Sequence, residues 1–243
     1  MKHMVPLLAA ALLVLSGCAE ERSSRAQTVD PPSESSAATE PAPAESSAAE
    51  PDDAAGEQLT QEQADAALLT VQDLPTGWTT DPAAEEDDGP DDITEPAECA
   101  QIFQALEDQQ DPVAQAEADF TAGGFGPFLS QSVSSFDDST TDALAAVTEA
   151  LNACPTFTSI DADGVRAEFT AAPLSFPNVG DSTVAVRLSA STEDFDLAFD
   201  VVAVSLGNNG MTIVAGGLTP MDGVQLEQVV RAGVSRIATA AQS

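Results

Sequence analysis

Apolar side chains recur along this chain with two periods, helical in four stretches and alternating across the segment between residues 165 and 215. Leu59, Ala66, Leu68 and Leu69 predict a helix over 58–74, stopped by Pro75 and Gly77, with Trp78 immediately after. A second helix is predicted over 95–107: Pro96 suits its first turn, and Cys99, Ile102, Phe103 and Leu106 share one side. A third is framed by Ser139 as N-cap, Asp142 three residues on and Pro155 beyond its end, with Leu144, Val147, Leu151 and Cys154 on one face. The fourth runs over 222–240 behind the inner stripe Leu226, Val230, Gly233 and Ile237.

Period two marks the strands. Val165, Ala167, Phe169 and Ala171 alternate with Arg166, Glu168 and Thr170; Val184, Val186 and Leu188 alternate with Ala185 and Arg187. Phe195, Leu197, Phe199, Val201 and Ala203 alternate with Asp194, Asp196 and Asp200, so the apolar set is expected inward and the aspartates outward. Asn208-Asn209-Gly210 signals a hairpin into 211–215; keeping Ala203 and Ala215 on one face favours a three-residue loop with Gly210 left-handed. A further strand over 119–136 is interrupted by Gly123-Gly124-Phe125-Gly126-Pro127, where a bulge or exposed loop is expected. The predicted class is α+β, an antiparallel sheet covered on one face by helices.

The amino-terminal 57 residues lie outside this pattern. Lys2 and His3 precede the apolar run 5–15, which is too short to span a bilayer and ends in Leu15-Ser16-Gly17-Cys18. This run resembles the lipobox of bacterial lipoproteins, and the resemblance implies removal of residues 1–17 as a signal peptide and diacylglyceryl modification of Cys18. Two acyl chains provide the double attachment that stable anchoring needs. Residues 18–57, rich in Ala, Pro, Ser and Glu, bury too little surface to offset their conformational entropy and read as a disordered tether. Residues 58–243 then form a single extracytoplasmic domain.

Composition closes several functional classes. The net charge is −34, which argues against nucleic acid and against electrostatic adhesion to anionic headgroups. The membrane is therefore expected as a partner through the lipid anchor, alongside an unidentified envelope protein or small ligand. The only Lys and the only His fall in the segment to be cleaved, and Tyr is absent. The finished chain thus lacks the usual general bases near neutral pH, the Schiff-base amine and imidazole ligands for zinc. No cofactor is expected, and the chain is read as no enzyme. Cys99 and Cys154 lie on the inner faces of their helices in an extracytoplasmic protein, which predicts a bridge between them. Closing that loop would remove about 4 kcal/mol of unfolded-state entropy.

The run from Leu68 through Thr70, Asp73, Pro75 and Gly77 to Trp78 resembles the opening segment of sensor-domain-type lipoproteins of actinobacteria. The later order, a Cys-bearing helix, a strand, a second helix ending in Cys, a meander and a final helix, is similar to PknH-like extracellular sensor domains across residues 58–243. The resemblance implies an antiparallel sheet with helices and a binding groove, and it carries over no catalytic residue. Those sensor domains hold two disulfides where this chain can form one.

Four side chains are candidate ligand contacts. Arg166 and Arg187 would meet an anionic group if they line an open sheet face; alternatively they are surface pairs, Arg187 with Asp196 and Asp200. Trp78 either caps the core or edges a groove, the core being favoured, and Phe125 between glycines is the better exposed contact. Asp161-Ala162-Asp163-Gly164 begins like a calcium loop but has Ala172 where the bidentate Glu belongs, and the acidic run 85–92 reads as a solvated loop; no metal site is assigned. The expectation is a membrane-anchored, non-enzymatic binding or sensor-like module. The alternatives are a structural or protein-interaction lipoprotein without a small-molecule site, and a hydrolase working with carboxylates alone.

Overall fold

The computed structural model describes residues 56–81, 93–101, 111–124, 126–160, 165–193 and 195–243. Cys18, the tether, the acidic run 85–92, Phe125, the 161–164 turn and the second half of the helix expected over 95–107 lie outside these residues. Among the described residues nine strands form one antiparallel sheet: β1 (Thr79–Thr80), β2 (Ile93–Glu95), β3 (Ala114–Thr121), β4 (Phe128–Ser135), β5 (Thr156–Ile160), β6 (Arg166–Pro173), β7 (Ser182–Ser191), β8 (Asp196–Leu206) and β9 (Asn209–Gly217). Their order is β1-β3-β4-β9-β8-β7-β6-β5-β2. The helices are α1 (Gln61–Ala66), α2 (Thr141–Ala153) and α3 (Gly223–Ala240), with a 3-10 turn at Val71–Asp73. Residues 97–101 are also helical. The α+β class expected from the two periods is the one observed.

The core forms where β8 and β9 pass beneath α3. Val202 pairs with Ile213 and Val204 with Met211, and all four are buried. The expected stripe of Leu226, Val230, Gly233 and Ile237 closes over them, fully buried, with Val229 beside it. Each large apolar side chain so placed contributes about 1.5–3 kcal/mol. Asp222 starts the helix, its carboxylate accepting from the Val224 and Gln225 backbone N–H groups. Trp78 joins the same core at 6% exposure, in keeping with the favoured reading.

The helices divide between the two sides of the sheet. α1 and α3 lie over the face of Val202, Val204, Met211 and Ile213; α2 lies over the reverse, where Ser205 points. The hydroxyls of Thr140 and Thr141 sit 2.8 and 3.1 Å from Ser205 Oγ. At its far end Cys154 is bonded to Cys99, as expected from their helical faces, with a Cα–Cα distance of 5.8 Å and both residues buried. Nearby, Phe157 of β5 and Phe169 of β6 stack at 4.9 Å.

This two-sided arrangement corrects the expected facing of β8. Because both faces are covered, its odd and even residues are both packed: Asp200 is 1% exposed and lies on the α3 side, opposite Ala215. Ala203 pairs with Thr212 on the other face, so Ala203 and Ala215 do not share one. The hairpin accordingly closes through the two residues Gly207 and Asn208, with Leu206 opposite Asn209, and the left-handed residue is Gly207 at φ +60°.

Three further expectations change. The helix over 58–74 is limited to α1, capped by Thr60 with Gln63 in a capping box, because the Leu69 N–H is taken by Gln131 Oε1 at 2.6 Å and draws the chain out of the helix. The strand over 119–136 is instead the β3–β4 hairpin, with Thr121 opposite Phe128 and the glycine-rich segment as its loop; the small inward residues Ala114 and Ala116 left the first half without a strong alternation. The N-cap of α2 is Thr140 rather than Ser139, its hydroxyl turned inward to Ser205 and the Asn209 carbonyl.

The chain joins the domain at the end of the sheet that carries the β8–β9 turn. Gly56 accepts from the Asn208 N–H at 3.2 Å, Glu57 from Asn209 Nδ2 at 2.7 Å, and Gln58 Nε2 donates to the Phe136 carbonyl at 3.0 Å. The backbone of Gly56 also lies where a Cβ on Gly207 would sit.

Candidate functional site

The segment from Ala66 to Asp73 leaves α1, runs past the sheet edge and returns toward α3, and a groove of about 720 Å³ opens between it and β1–β3. Ala118, Phe120, Leu68 and Leu69 supply its apolar part, and Asp65, Asp81, Glu117 and Asp119 its polar rim. A volume of this size falls within the range of ligand sites, about 300–1,000 Å³. Arg236 stands at one end and also lines a smaller cavity of about 440 Å³ between Asp73 and the last turns of α3.

Two polar devices hold the groove wall in place. Gln131 projects from β4 at an inward position between Leu129 and Val133; it is fully buried, and its Oε1 receives the Leu69 N–H. At the other end of the segment Asp73 Oδ2 accepts from the Thr70 N–H at 2.7 Å and the Thr70 hydroxyl at 2.8 Å, and from Arg236 Nε at 2.9 Å. Arg236 Nη2 completes the knot by donating to Thr70 Oγ1 at 3.0 Å. Burial pushes the Asp73 carboxyl up, but the hydrogen bonds from Thr70 and Arg236 and the guanidinium charge outweigh it, so Asp73 titrates below the usual carboxylate range. The arginine is thereby committed to its own protein, and the groove presents carboxylates.

The arginines singled out from the sequence lie elsewhere. Arg166 pairs with Glu95 at 3.2 Å, both more than half exposed, an arrangement worth little. Arg187 lies directly opposite Asp200 across β7 and β8 and donates to both carboxylate oxygens, Nε to Oδ1 at 2.6 Å and Nη2 to Oδ2 at 2.7 Å. Those hydrogen bonds, opposed by partial burial, raise the Arg187 pKa above its ordinary value. Asp196 is opposite Ser191 and accepts from its hydroxyl, not from Arg187. By register Arg166 and Arg187 share a sheet face, yet they stand at different ends of β6 and neither lines the groove. Trp78 is in the core, and Phe125 lies outside the described residues.

Sequence reasoning missed Gln131, Asp73 and Arg236. Gln131 carried a legible signal, a polar residue at an inward position of an alternating run, which requires a buried partner. Asp73 and Arg236 are brought together only by the docking of α3, and nothing local to either residue announces the pair. Among the described residues no group of three or more His, Cys, Asp or Glu could hold a metal ion. No described helix is long and apolar enough to cross a membrane.

No protein-family profile matches the chain, and no curated protein matches it in sequence. Its fold matches the extracellular domain of PknH from Mycobacterium tuberculosis at a TM-score of 0.57 and 13% identity, over 76% of this chain and 99% of that one. A Rv0999 ortholog from Mycobacterium smegmatis aligns at 16% identity with a TM-score of 0.40, over 72% of this chain and 96% of the other. The chain therefore shares the fold of the PknH extracellular domain.

Proposed function

We propose that this chain is a lipoprotein anchored through Cys18 to the outer side of the cytoplasmic membrane, whose domain is a non-enzymatic binding or sensor-like module. The observation that carries the binding role is the 720 Å³ groove, with an apolar floor and a wall fixed by Gln131 and by the Thr70–Asp73–Arg236 knot. The fold it shares with an extracellular domain supports the location, and the lipobox-like run at residues 15–18 supports the anchor. The loss of the only Lys and His with the leader supports a role in binding rather than catalysis. With Arg236 already neutralised, the carboxylates of Asp65, Glu117 and Asp119 disfavour an anionic ligand in the groove.

A thermal-shift screen of the chain from residue 19 onward against lipids, glycans and calcium tests the binding role. At a hundredfold excess over Kd a ligand adds about 2.7 kcal/mol, and such a gain raises Tm by about 5–10 °C in a domain of this size. The stabilisation should disappear in Ala118→Phe, which fills the groove floor. No shift with any class, or a shift that survives Ala118→Phe, counts against the groove.

A further inference from the structure

The outer edge of β3 carries a gap in its pairing. Across the β3–β4 hairpin the Ala122 N–H donates to the Pro127 carbonyl at 3.0 Å. The even-numbered residues of β3 therefore direct their backbone groups to β4, and the odd-numbered ones direct theirs outward. Asp119 follows this rule, its carbonyl accepting from the Asp81 N–H at 2.8 Å just beyond β1. Gln115 follows it too: its N–H donates to Gln61 Oε1 at 3.2 Å and its carbonyl accepts from Gln61 Nε2 at 2.7 Å. Between these two rungs the N–H and C=O of Glu117 have no partner among the described residues, and Glu117 is exposed.

The gap opens into the groove, whose lining includes Glu117, Ala118 and Asp119. An unpaired backbone donor and acceptor side by side on a strand edge are a template for one more peptide unit. The neighbouring rung already holds such a group: the Gln61 carboxamide, a peptide unit without its chain, pairs with Gln115 through both its oxygen and its nitrogen. Side chains directly opposite each other share a sheet face, and successive ones along a strand alternate. A residue added opposite Glu117 would therefore meet the Glu117 carboxylate. Its neighbour opposite Ala118 would project to the other face, where Ala118, Phe120 and Leu68 supply the apolar floor.

We infer that the groove takes an extended segment of a partner protein, added to the edge of β3 at Glu117, with a lysine or arginine at that rung and an apolar residue beside it. This rests on the reading of the groove as a binding site and names its ligand class. The rim carboxylates of Asp65, Glu117 and Asp119 favour the basic side chain, and Arg236 at the groove is held by Asp73. Gln61 limits the length of the added ladder. While its amide occupies the Gln115 rung, only the Glu117 rung is open to the segment; Gln61 is itself exposed, and its removal opens a second.

The test titrates the isotope-labelled chain from residue 19 onward with acetyl-Thr-Val-Lys-Val-Thr-amide, whose pattern is the same in either strand direction, and follows the Glu117 amide resonance. Binding should shift that resonance and slow its exchange with solvent. Methylating the backbone nitrogen of the central lysine, which removes the donor and keeps the charge, should abolish binding. Glu117→Gln should weaken it up to about fivefold, the range of an opposite-charge pair across strands, and Ala118→Phe should block it. Gln61→Ala should tighten it severalfold by opening the Gln115 rung, a gain that mere loss of structure does not produce. Equal binding of the methylated peptide would mean that charge alone holds it, and overturns the inference. Absence of binding overturns it as well, and so does a Glu117 amide already protected from exchange in the free chain, since its rung would then be taken. A lipid or glycan whose stabilisation is lost in Ala118→Phe, with no peptide binding, would strike out the peptide and leave the groove itself standing.

Discussion

Arg187→Ala should cost more stability than Asp200→Asn, although the two residues share the same pair of hydrogen bonds. The asymmetry follows from exposure: the Asp200 side chain is 1% exposed and that of Arg187 40%. Removing the arginine strands a buried carboxylate, which costs about 3–5 kcal/mol when the site is sealed. Here the guanidinium position is open enough for water to replace part of the lost partner, so about 2–3 kcal/mol is expected. Asp200→Asn keeps the volume and one neutral acceptor, and leaves a cation that can hydrate, for a loss of about 1 kcal/mol. Urea unfolding of each variant measures both, with the fluorescence of Trp78, the only Trp and a buried one, as the signal. The double variant Arg187→Met, Asp200→Leu should recover much of the loss by removing both charges at once. If Arg187→Ala lies within about 0.5 kcal/mol of the parent, the pair behaves as a screened surface contact and the reasoning from burial is refuted.

Other outcomes can be set beside it. Gly216→Ala should be strongly destabilising, about 3 kcal/mol or more, because its Cβ would overlap the Ala198 carbonyl oxygen and lie 2.7 Å from Phe199 Cα, and backbone cannot yield as a side chain can; soluble protein with an unchanged Tm would contradict this. Gln131→Leu should cost about 1–3 kcal/mol by leaving the Leu69 N–H without its buried acceptor, with amide exchange of Leu69 accelerated in the same variant. Because Asp73 titrates below its unfolded value, its contribution is fully present above about pH 4 and is lost as pH falls through the lowered folded value. Asp73→Asn should therefore flatten the acid limb of the stability profile, and an unchanged acid limb would contradict the assignment. Replacing both Cys99 and Cys154 with Ser should cost up to about 4 kcal/mol in denaturant unfolding, and no loss would contradict a stabilising bridge.

The parts of the fold that were legible in the sequence are those specified locally. α3 has its cap, its stripe and its length written into 222–240, and the paired cysteines followed from their helical faces. What was not legible depends on layers meeting. The facing of β8 could not be read because helices cover both sides of the sheet, so that Val201 and Val202 are both packed and alternation loses its meaning. The early end of α1 is decided by Gln131 from β4, distant in sequence, and β3 is built from inward alanines too small to register as a strand. The candidate site suffered most, because its groove is bounded by a turn, a sheet edge and the far end of α3. Arg166 and Arg187 stood out by rarity, while the arginine at the groove, Arg236, looked like ordinary helix surface.

The proposed place of this domain outside the membrane rests on processing at Cys18, and mass spectrometry of the protein recovered from membranes of its native host reads that event directly. A mature amino-terminal peptide that begins at Cys18 and carries the mass of a diacylglyceryl group is the predicted result. A peptide that begins at Met1, or one that carries Cys18 without lipid, would contradict the anchored, extracytoplasmic account.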